Sequence, residues 1–397
     1  MNAAPSSSPH IPAPRWKFLA IGFWIAIFVI FTALFLLNPT QRSVSGVYHD
    51  ASQAWLANQD PYLELKIFNY TPQFAMLFSP FYLMGRLGGD LAWRWISLAL
   101  LIGAWWRLAK LCNGRDAWKA FFWSSLLGIA ACGDAIRNGQ ANVILAAFLL
   151  WSTCFLIERR WWWAAGSLVL GLAKPLGVVM IGLAMVAYPV LIPPLLTVLL
   201  GFLLIPFCCD PPGYVVSLFV RFVENLMQCS FVTEHRFADI NGLFRSVDWE
   251  ILFGWSQGIR VVAGLCMLVL WWRVFGRLRE PMRGMVLLSF TTAYLMLFNP
   301  MNEVNTYILM VPGCGLLAAY VYERRGGRRM AYTLYAVVVT IGILPELMRR
   351  VTGTLGLWWD PLMALVFLGA VLWFMLGESS KQYANALDGS VSRLSPI

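Results

Sequence analysis

The sequence has few charged residues. Asp, Glu, Lys and Arg make up 13% of its 397 residues, about half of their share in a soluble domain. Apolar residues make up 59%, and a soluble fold has too little interior to bury that much apolar surface, so we expect lipid to be the solvent. The 30 Lys and Arg against 20 Asp and Glu give a net charge of +10. In a membrane protein such an excess belongs to cytoplasmic loops, which makes nucleic-acid binding a poor explanation of it.

The sequence also lacks the motifs of several enzyme classes. It has three histidines and contains no His-x-x-x-His pair, Asp-x-Asp pair, glycine-rich phosphate loop or serine-nucleophile elbow. These absences argue against a metal-bound nucleotide-sugar site and against a membrane metalloprotease, and we predict neither a metal nor a cofactor. The eight cysteines lie mostly in apolar runs without metal-ligand spacing. We interpret them as small core residues and not as a disulfide framework.

The sequence contains a series of apolar segments, which predict about 12 to 13 transmembrane or re-entrant helices. They lie near 16–37, 70–88, 91–106, 120–133, 141–157, 161–173, 175–189, 191–209, 256–272, 284–298, 304–322, 330–345 and 357–376. Several are short or broken by proline, which a membrane tolerates only where the helix lines a polar cavity. The sequence therefore predicts an all-α polytopic membrane protein.

The predicted organisation is a single membrane domain over residues 16–377. Residues 1–15, rich in Pro and Ser, are expected to form a disordered cytoplasmic tail, and 378–397 a polar C-terminal tail. Residues 38–69 and 210–250 are long polar stretches that predict two large outer loops, the second a possible lid or substrate platform.

Basic clusters predict the orientation. They contain Arg15 and Lys17; Arg107, Lys110, Arg115 and Lys119; Arg159 and Arg160; Arg273, Arg277, Arg279 and Arg283; and Arg324, Arg325, Arg328 and Arg329. If all are cytoplasmic, an even number of crossings separates neighbouring clusters. Three segments lie between the first two clusters, so either 70–88 fails to cross or one cluster breaks the rule. From the second cluster onward, an even number of segments separates neighbouring clusters. The polar breaks between the paired segments are therefore expected on the outer face.

Lys174 is the only charged residue between Arg160 and Asp210, and Pro175 follows it. An intramembrane lysine is costly unless it is paired or lies at a wet cavity, so it marks a functional site by default. Its side chain could instead extend to the membrane interface. An ammonium group at the lipid–water boundary suits the phosphate or pyrophosphate of a lipid-linked donor.

Glu303 is the only charged residue between Met285 and Tyr322. It follows a proline break and could be either a helix N-cap or a functional carboxylate. If a helix begins there, Glu303, Thr306 and Tyr307 share one of its faces.

Asp50, in the first outer loop, is predicted to lie near the start of a short helix. It could favour the helix dipole or act as a general base that deprotonates an acceptor hydroxyl. Other polar side chains of the outer face could hold the sugar, its phosphate or the acceptor. They are Asn69 and Tyr70 at a helix mouth, Arg137, Gln140 and Asn142 in a polar turn, Tyr307 beyond Glu303, and His235 in the second loop.

Five short patches, in order, resemble glycosyltransferase family 87, the polyprenol-phosphate mannosyltransferases also called DUF2029. The patches are Val47-Tyr48-His49-Asp50-Ala51 running to Asp60-Pro61-Tyr62, Tyr70-Thr71-Pro72 with Ser79-Pro80-Phe81, Gly139-Gln140-Ala141-Asn142, Gly171-Leu172-Ala173-Lys174-Pro175, and Asn299-Pro300 with Glu303, Thr306 and Tyr307. The resemblance implies a GT-C architecture and inverting transfer from a polyprenyl-monophosphate sugar of mannose or arabinofuranose type.

In that family an acidic residue of the first outer loop acts as the base, which the resemblance carries onto Asp50. The match is displaced, because Val44 stands where relatives often have the Asp. Many relatives also have a His where this chain has Glu303, which makes Glu303 the rival base.

The sequence thus predicts a glycosyltransferase of the bacterial inner membrane. It would act on its extracytoplasmic side, with a polyprenyl-phosphate sugar as donor, a lipid or glycan as acceptor, membrane lipids around it and no nucleic acid. The alternative is a transporter or flippase of a lipid-linked or anionic solute, which broken helices would also suit. The lack of an internal repeat argues against transport.

Overall fold

The computed structural model describes residues 13–39, 41–64, 68–229, 237–246, 249, 253–323, 327–352, 356 and 358–376. The predicted C-terminal tail, most of the predicted N-terminal tail and His235 lie outside these residues.

The described residues form α-helices joined by turns and short 3₁₀ helices, with no β-strand among them. The α-helices are α1 Ala13–Leu37, α2 Ser45–Leu56, α3 Pro61–Glu64, α4 Pro72–Leu83, α5 Arg86–Asn113, α6 Ala117–Arg137, α7 Ala141–Ile157, α8 Trp161–Leu170, α9 Val178–Ala187, α10 Ile192–Cys209, α11 Pro212–Gln228, α12 Ile240–Arg245, α13 Phe253–Val274, α14 Met282–Phe298, α15 Val311–Tyr322, α16 Arg328–Thr352 and α17 Trp359–Leu376. This confirms the all-α prediction.

Long apolar helices form the outside of the molecule. By length and composition, five helical stretches of the described chain suit a membrane crossing: Arg15–Leu37, Arg86–Arg137, Pro189–Cys209, Gly254–Arg277 and Arg328–Val351. On α1, Phe18, Ile25 and Val29 are exposed by 70%, 59% and 58%. An apolar surface of this kind needs a lipid environment, as expected of an integral membrane protein.

The centre is formed by helices that other helices surround. Every residue of α15 from Val311 to Val321 is buried, and most of α14 and α7 is buried as well. Glycines let some of these helices approach closely: a Cβ atom built on Gly315 would lie 2.9 Å from Cβ of Ser124 on α6. Close backbone approach through small residues is the usual packing of helices in membranes.

We expect Gly342→Ala to destabilise the folded protein by about 1–3 kcal/mol, because the added methyl group overpacks the contact between α6 and α16. A Cβ on Gly342 would lie 2.4 Å from the backbone nitrogen of Ala131, which cannot move as a side chain does. Gly182→Ala is the matched control, since nothing lies within 4 Å of the position of its Cβ. Thermal unfolding in detergent should show a lower midpoint for the first variant only, and equal midpoints would contradict the prediction.

The segment predicted at 70–88 contains no described helix long enough to cross a membrane by itself. It contains α4, whose 12 residues span about 18 Å, short of the roughly 30 Å of a hydrocarbon core. The residues before α4 lie at the turn between α6 and α7, because the Tyr70 hydroxyl bonds the Tyr48 hydroxyl, which accepts from the Ala141 amide. The start of α5 returns to the same turn, where Trp93 donates to the Gly139 carbonyl at 2.9 Å. Two crossings, α1 and α5, then separate the first two basic clusters, as an all-cytoplasmic assignment requires.

The cysteines are free thiols in the described part of the chain. Four of them, Cys112, Cys132, Cys154 and Cys314, are buried as predicted. The core assignment is wrong for Cys208, Cys209 and Cys266, which are exposed. They lie in apolar helices whose outer faces are uncovered, so an apolar neighbourhood in the sequence does not distinguish core from periphery in this type of protein.

Candidate functional site

A cavity of about 670 Å³ opens where the polar breaks of the chain meet. Its wall comes from the segment before α4, the turn between α6 and α7, the break between α8 and α9, and the residues around the end of α14. Six of the predicted site residues line it: Asn69, Tyr70, Gln140, Asn142, Lys174 and Glu303. Its volume is in the range of pockets that enclose organic ligands.

Lys174 lies between the apolar stretches Trp161–Ala173 and Pro175–Ala187 and belongs to neither. Proline cannot donate the backbone bond that would continue the first helix. The Thr71 amide donates to the Ala173 carbonyl at 3.0 Å, which fixes this break against α4. The Lys174 ammonium donates to Oδ1 of Asn142 at 2.8 Å and lies 5.7 Å from the centre of the Tyr70 ring. Burial lowers the pKa of Lys174 to about 8, against the opposing effect of Glu303.

Glu303 is the N-cap of a 3₁₀ helix, Val304–Leu309. Its side chain accepts from the Thr306 amide, and its own amide donates to the Thr306 hydroxyl at 3.3 Å, which forms a capping box. Oε2 also accepts from Nδ2 of Asn305 at 2.9 Å. Glu303 also lines the cavity. The capping interpretation and the cavity position therefore hold together.

A chain of side-chain hydrogen bonds connects the cation to the carboxylate. Lys174 donates to Asn142, Nδ2 of Asn142 lies 3.5 Å from Oδ1 of Asn305, and Asn305 donates to Glu303. The oxygen and nitrogen of each amide are about 2.2 Å apart. The ammonium and the carboxylate are therefore within about 14 Å of each other along this path, close enough to serve one ligand.

The other polar lining residues are held by neighbours. Gln140 accepts from Nδ2 of Asn142 at 2.9 Å. Asn69 accepts from Nδ2 of Asn225 on α11 at 2.8 Å and donates to Sδ of Met301. These bonds fix the orientation of each amide, and a binding site needs polar groups that are held in place in this way.

The structure does not bring Asp50 to the cavity. Asp50 is the sixth residue of α2, which begins at Ser45, so it does not lie near the start of the helix as predicted. Val47 and Tyr48 line the cavity, whereas Asp50 is exposed. Successive helical residues are about 100° apart, so Asp50 projects well away from Tyr48.

Tyr307 and Arg137 are also outside the lining. Tyr307 is fully buried and donates to the Ala238 carbonyl at 2.9 Å. Glu303 and Thr306 both line the cavity. Tyr307 does not share their face, because the segment is a 3₁₀ helix, in which residues three apart are aligned and residues four apart are not. Arg137 ends α6, where its carbonyl accepts from Nε of Arg94 at 3.4 Å.

Arg260 is a lining residue that the sequence analysis missed. It lies on α13, and its guanidinium is 3.9 Å from a carboxylate oxygen of Asp239. Asp239 caps α12 by accepting from the Gly242 amide at 2.8 Å. Burial raises the pKa of Asp239 to about 6, against the lowering effect of this cap and of its two arginine neighbours. The available signal was a lone charge inside the predicted segment 256–272.

A second, apolar cavity of about 200 Å³ adjoins the first. Tyr70 and Lys174 line both cavities. The rest of its wall is apolar, with Phe74, Phe78, Phe81, Trp93, Ile144 and Leu170 among its residues. The Lys174 ammonium thus lies at the junction of a polar and an apolar space.

Comparison with known proteins gives the family. Among solved structures, the chain is similar to ArnT from Cupriavidus metallidurans bound to undecaprenyl phosphate, at 12% identity over 93% of this chain and 78% of that chain with a TM-score of 0.48. It is also similar to the apo state of the same protein, at 14% identity over 91% and 77% with a TM-score of 0.45. No curated protein sequence matches. The sequence profile of glycosyltransferase family 87 matches residues 68–300, which is more than half of the chain. The chain therefore belongs to glycosyltransferase family 87 and is a glycosyltransferase.

Proposed function

We propose that this enzyme transfers a mannose- or arabinose-type sugar from a polyprenyl-phosphate donor to a lipid or glycan acceptor, with inversion. The observation that carries the proposal is the position of Lys174, between an apolar cavity and a polar cavity that also contains Glu303. A polyprenyl-phosphate sugar has this sequence of parts: an apolar chain, an anion and a polar sugar.

The apolar cavity would hold the first isoprenyl units. The phosphate would bind Lys174, whose charge stabilises the negative charge that develops on the leaving group. Arg260 is a second cation of the polar cavity and would add to this stabilisation. The sugar would then lie toward Gln140, Asn142 and Asn69.

Glu303 would remove the proton of the acceptor hydroxyl. The hydroxyl oxygen attacks the anomeric carbon while the bond from that carbon to the phosphate oxygen breaks. The electron pair leaves with polyprenyl phosphate, and the proton passes from Glu303 to solvent. One such displacement inverts the anomeric configuration. Asp50, Arg137, Tyr307 and His235 have no part in this scheme.

The proposed side of the reaction is extracytoplasmic, in the bacterial inner membrane. Its support is the basic surface at the other end of the molecule. There Arg107 and Arg160 bond Glu158, and Lys119 bonds Glu323 at 2.7 Å. Positively charged ends of membrane helices stay in the cytoplasm, which leaves the cavity at the outer leaflet.

The test is transfer by the purified full-length chain from polyprenyl-phosphate mannose and from polyprenyl-phosphate arabinofuranose, in the presence of a lipid-extract acceptor. We expect turnover with one of the two donors and a product whose anomeric configuration is opposite to that of the donor, as read by NMR. A retained configuration would contradict the single displacement. Saturable donor binding without any product would instead favour the transport alternative.

A further inference from the structure

A third cavity shares no lining residue with the two already described. Its volume is about 490 Å³, and it is formed where α7 turns into α8, α9 into α10, and α13 into α14. Three arginines and one carboxylate line it: Arg159, Arg279, Arg283 and Glu280. Its charge complements an anion.

This cavity is at the opposite end of the helices that line the catalytic cavity. Helix α9 begins beside the catalytic cavity at Val178 and reaches the third cavity at Ala187, about 14 Å along the axis. Helix α14 has Arg283 at the third cavity and Phe298 at the catalytic one, about 22 Å apart. The three arginines at this end of the helices favour the cytoplasmic leaflet for a ligand of the third cavity, because basic residues at the ends of membrane helices stay in the cytoplasm.

The carboxylate of Glu280 accepts hydrogen bonds from residues of the cavity wall. One oxygen of Glu280 accepts from the Tyr188 hydroxyl at 2.6 Å and the other from the Gly284 amide at 3.2 Å. These bonds tie the start of α14 to the end of α9. Glu280 thus acts as a brace of the cavity wall.

Arg283 is held in place for binding. Its Nε and Nη2 both donate to the Leu278 carbonyl, at 3.1 and 2.9 Å, and its guanidinium lies 5.8 Å from the centre of the Tyr188 ring. Within the described residues these are its hydrogen bonds, so Nη1 keeps its donors for a ligand. A guanidinium fixed in this way loses little entropy on binding a phosphate.

The backbone conformation of Arg159 is a further indication that the cavity binds an anion. It has a φ of 59°, a left-handed conformation that glycine or asparagine usually takes at the end of a helix. Arginine is an unfavourable choice for this position by about 1 kcal/mol or more. The long cationic side chain lines the cavity, which gives this residue a role that glycine cannot fill.

The surroundings of the cavity are apolar and aromatic. Trp161 and Tyr188 line it with ring centres 6.0 Å apart. Val190, also in the wall, is 62% exposed, and the neighbouring Trp162 and Trp163 are 59% and 66% exposed. Tryptophan and tyrosine at this density are typical of a membrane interface, and such walls suit acyl chains and glycerol more than a free ion.

We propose that the third cavity binds the phosphate headgroup of an anionic phospholipid in the leaflet opposite the catalytic cavity. Basic pockets between membrane helices on the cytoplasmic side are a known type of headgroup site. The lipid would bridge the ends of α9 and α14. This proposal does not depend on which sugar the enzyme transfers.

The experiment is native mass spectrometry of the full-length protein in detergent, titrated with phosphatidylglycerol, phosphatidylcholine or inorganic phosphate. We expect saturable binding of one phosphatidylglycerol and no saturable binding of phosphatidylcholine. Arg159→Gln and Arg283→Gln together should weaken the phosphatidylglycerol site at least tenfold. Arg115→Gln, an exposed arginine of the turn between α5 and α6, should leave it unchanged.

Three results would overturn the proposal. They are unchanged phosphatidylglycerol binding in the double variant, an equal loss in Arg115→Gln, and displacement of the lipid by inorganic phosphate at an equal concentration. The last result would assign the cavity to a free anion. Arg159→Gln alone changes an exposed side chain and should give a smaller loss in the same direction, which separates loss of the site from misfolding.

Discussion

Replacing Glu303 with Gln is expected to lower kcat by about 10²- to 10⁴-fold, the usual contribution of a general base. Gln keeps an amide oxygen that can accept from the Thr306 amide, so the cap of the 3₁₀ helix is retained. The variant thus removes the base and keeps the cap. The measurement is the rate of sugar transfer at saturating donor, with the unfolding midpoint recorded beside it.

Asp50→Asn is the matched control for this experiment. It makes the same chemical change in the carboxylate that the family resemblance favours, but Asp50 is exposed on α2 and does not line the cavity. We expect its kcat within about twofold of wild type, since surface substitutions usually have small effects. Normal turnover in Glu303→Gln with lost turnover in Asp50→Asn would reverse the assignment of the base.

Replacing Lys174 with Met is expected to lower kcat/KM for the donor by about 10- to 100-fold, because a hydrogen bond to a charged group contributes about 1.5–3 kcal/mol. Lys174→Arg keeps the charge and should recover most of the activity. If Lys174→Met left kcat/KM unchanged, the donor phosphate could not be assigned to Lys174.

The two lysine replacements also differ in pH dependence. The pKa of Lys174 is lowered to about 8 by burial, so the ammonium is charged below this pH and becomes neutral above it. For wild type we expect kcat/KM to fall as the pH rises through 8. In Lys174→Arg the cation persists, since the guanidinium pKa is above about 12, and the fall should move to higher pH. Equal profiles would show that another group governs the alkaline limb.

Lone polar residues at the helix breaks were the most informative part of the sequence. Lys174 and Glu303 are each isolated in an apolar context, and the structure places both in one cavity. Burying a charge is costly, so a single charged residue in an apolar segment indicates a functional site. Arg260, the only charged residue of the predicted segment 256–272, is isolated in the same way and is the third charged residue of the lining.

Two properties could not be predicted from the sequence. They are which face of a helix points to the cavity and whether a short helix is an α-helix or a 3₁₀ helix. Asp50 and Tyr48 are two residues apart, and only the start of α2 decides which of them faces the cavity. Tyr307 was placed beside Glu303 on the assumption of 3.6 residues per turn, whereas the segment has the 3₁₀ geometry. Both properties depend on tertiary packing, which local composition does not encode.

The hydrogen-bond path from Lys174 to Glu303 joins two parts of the chain that are made at different times. Lys174 and Asn142 precede α10, while Asn305 and Glu303 follow α14. A ribosome-bound chain that has inserted its first ten helices carries the cation without the carboxylate. The proposed site is therefore complete only after synthesis has passed Asn305, the last residue of this path.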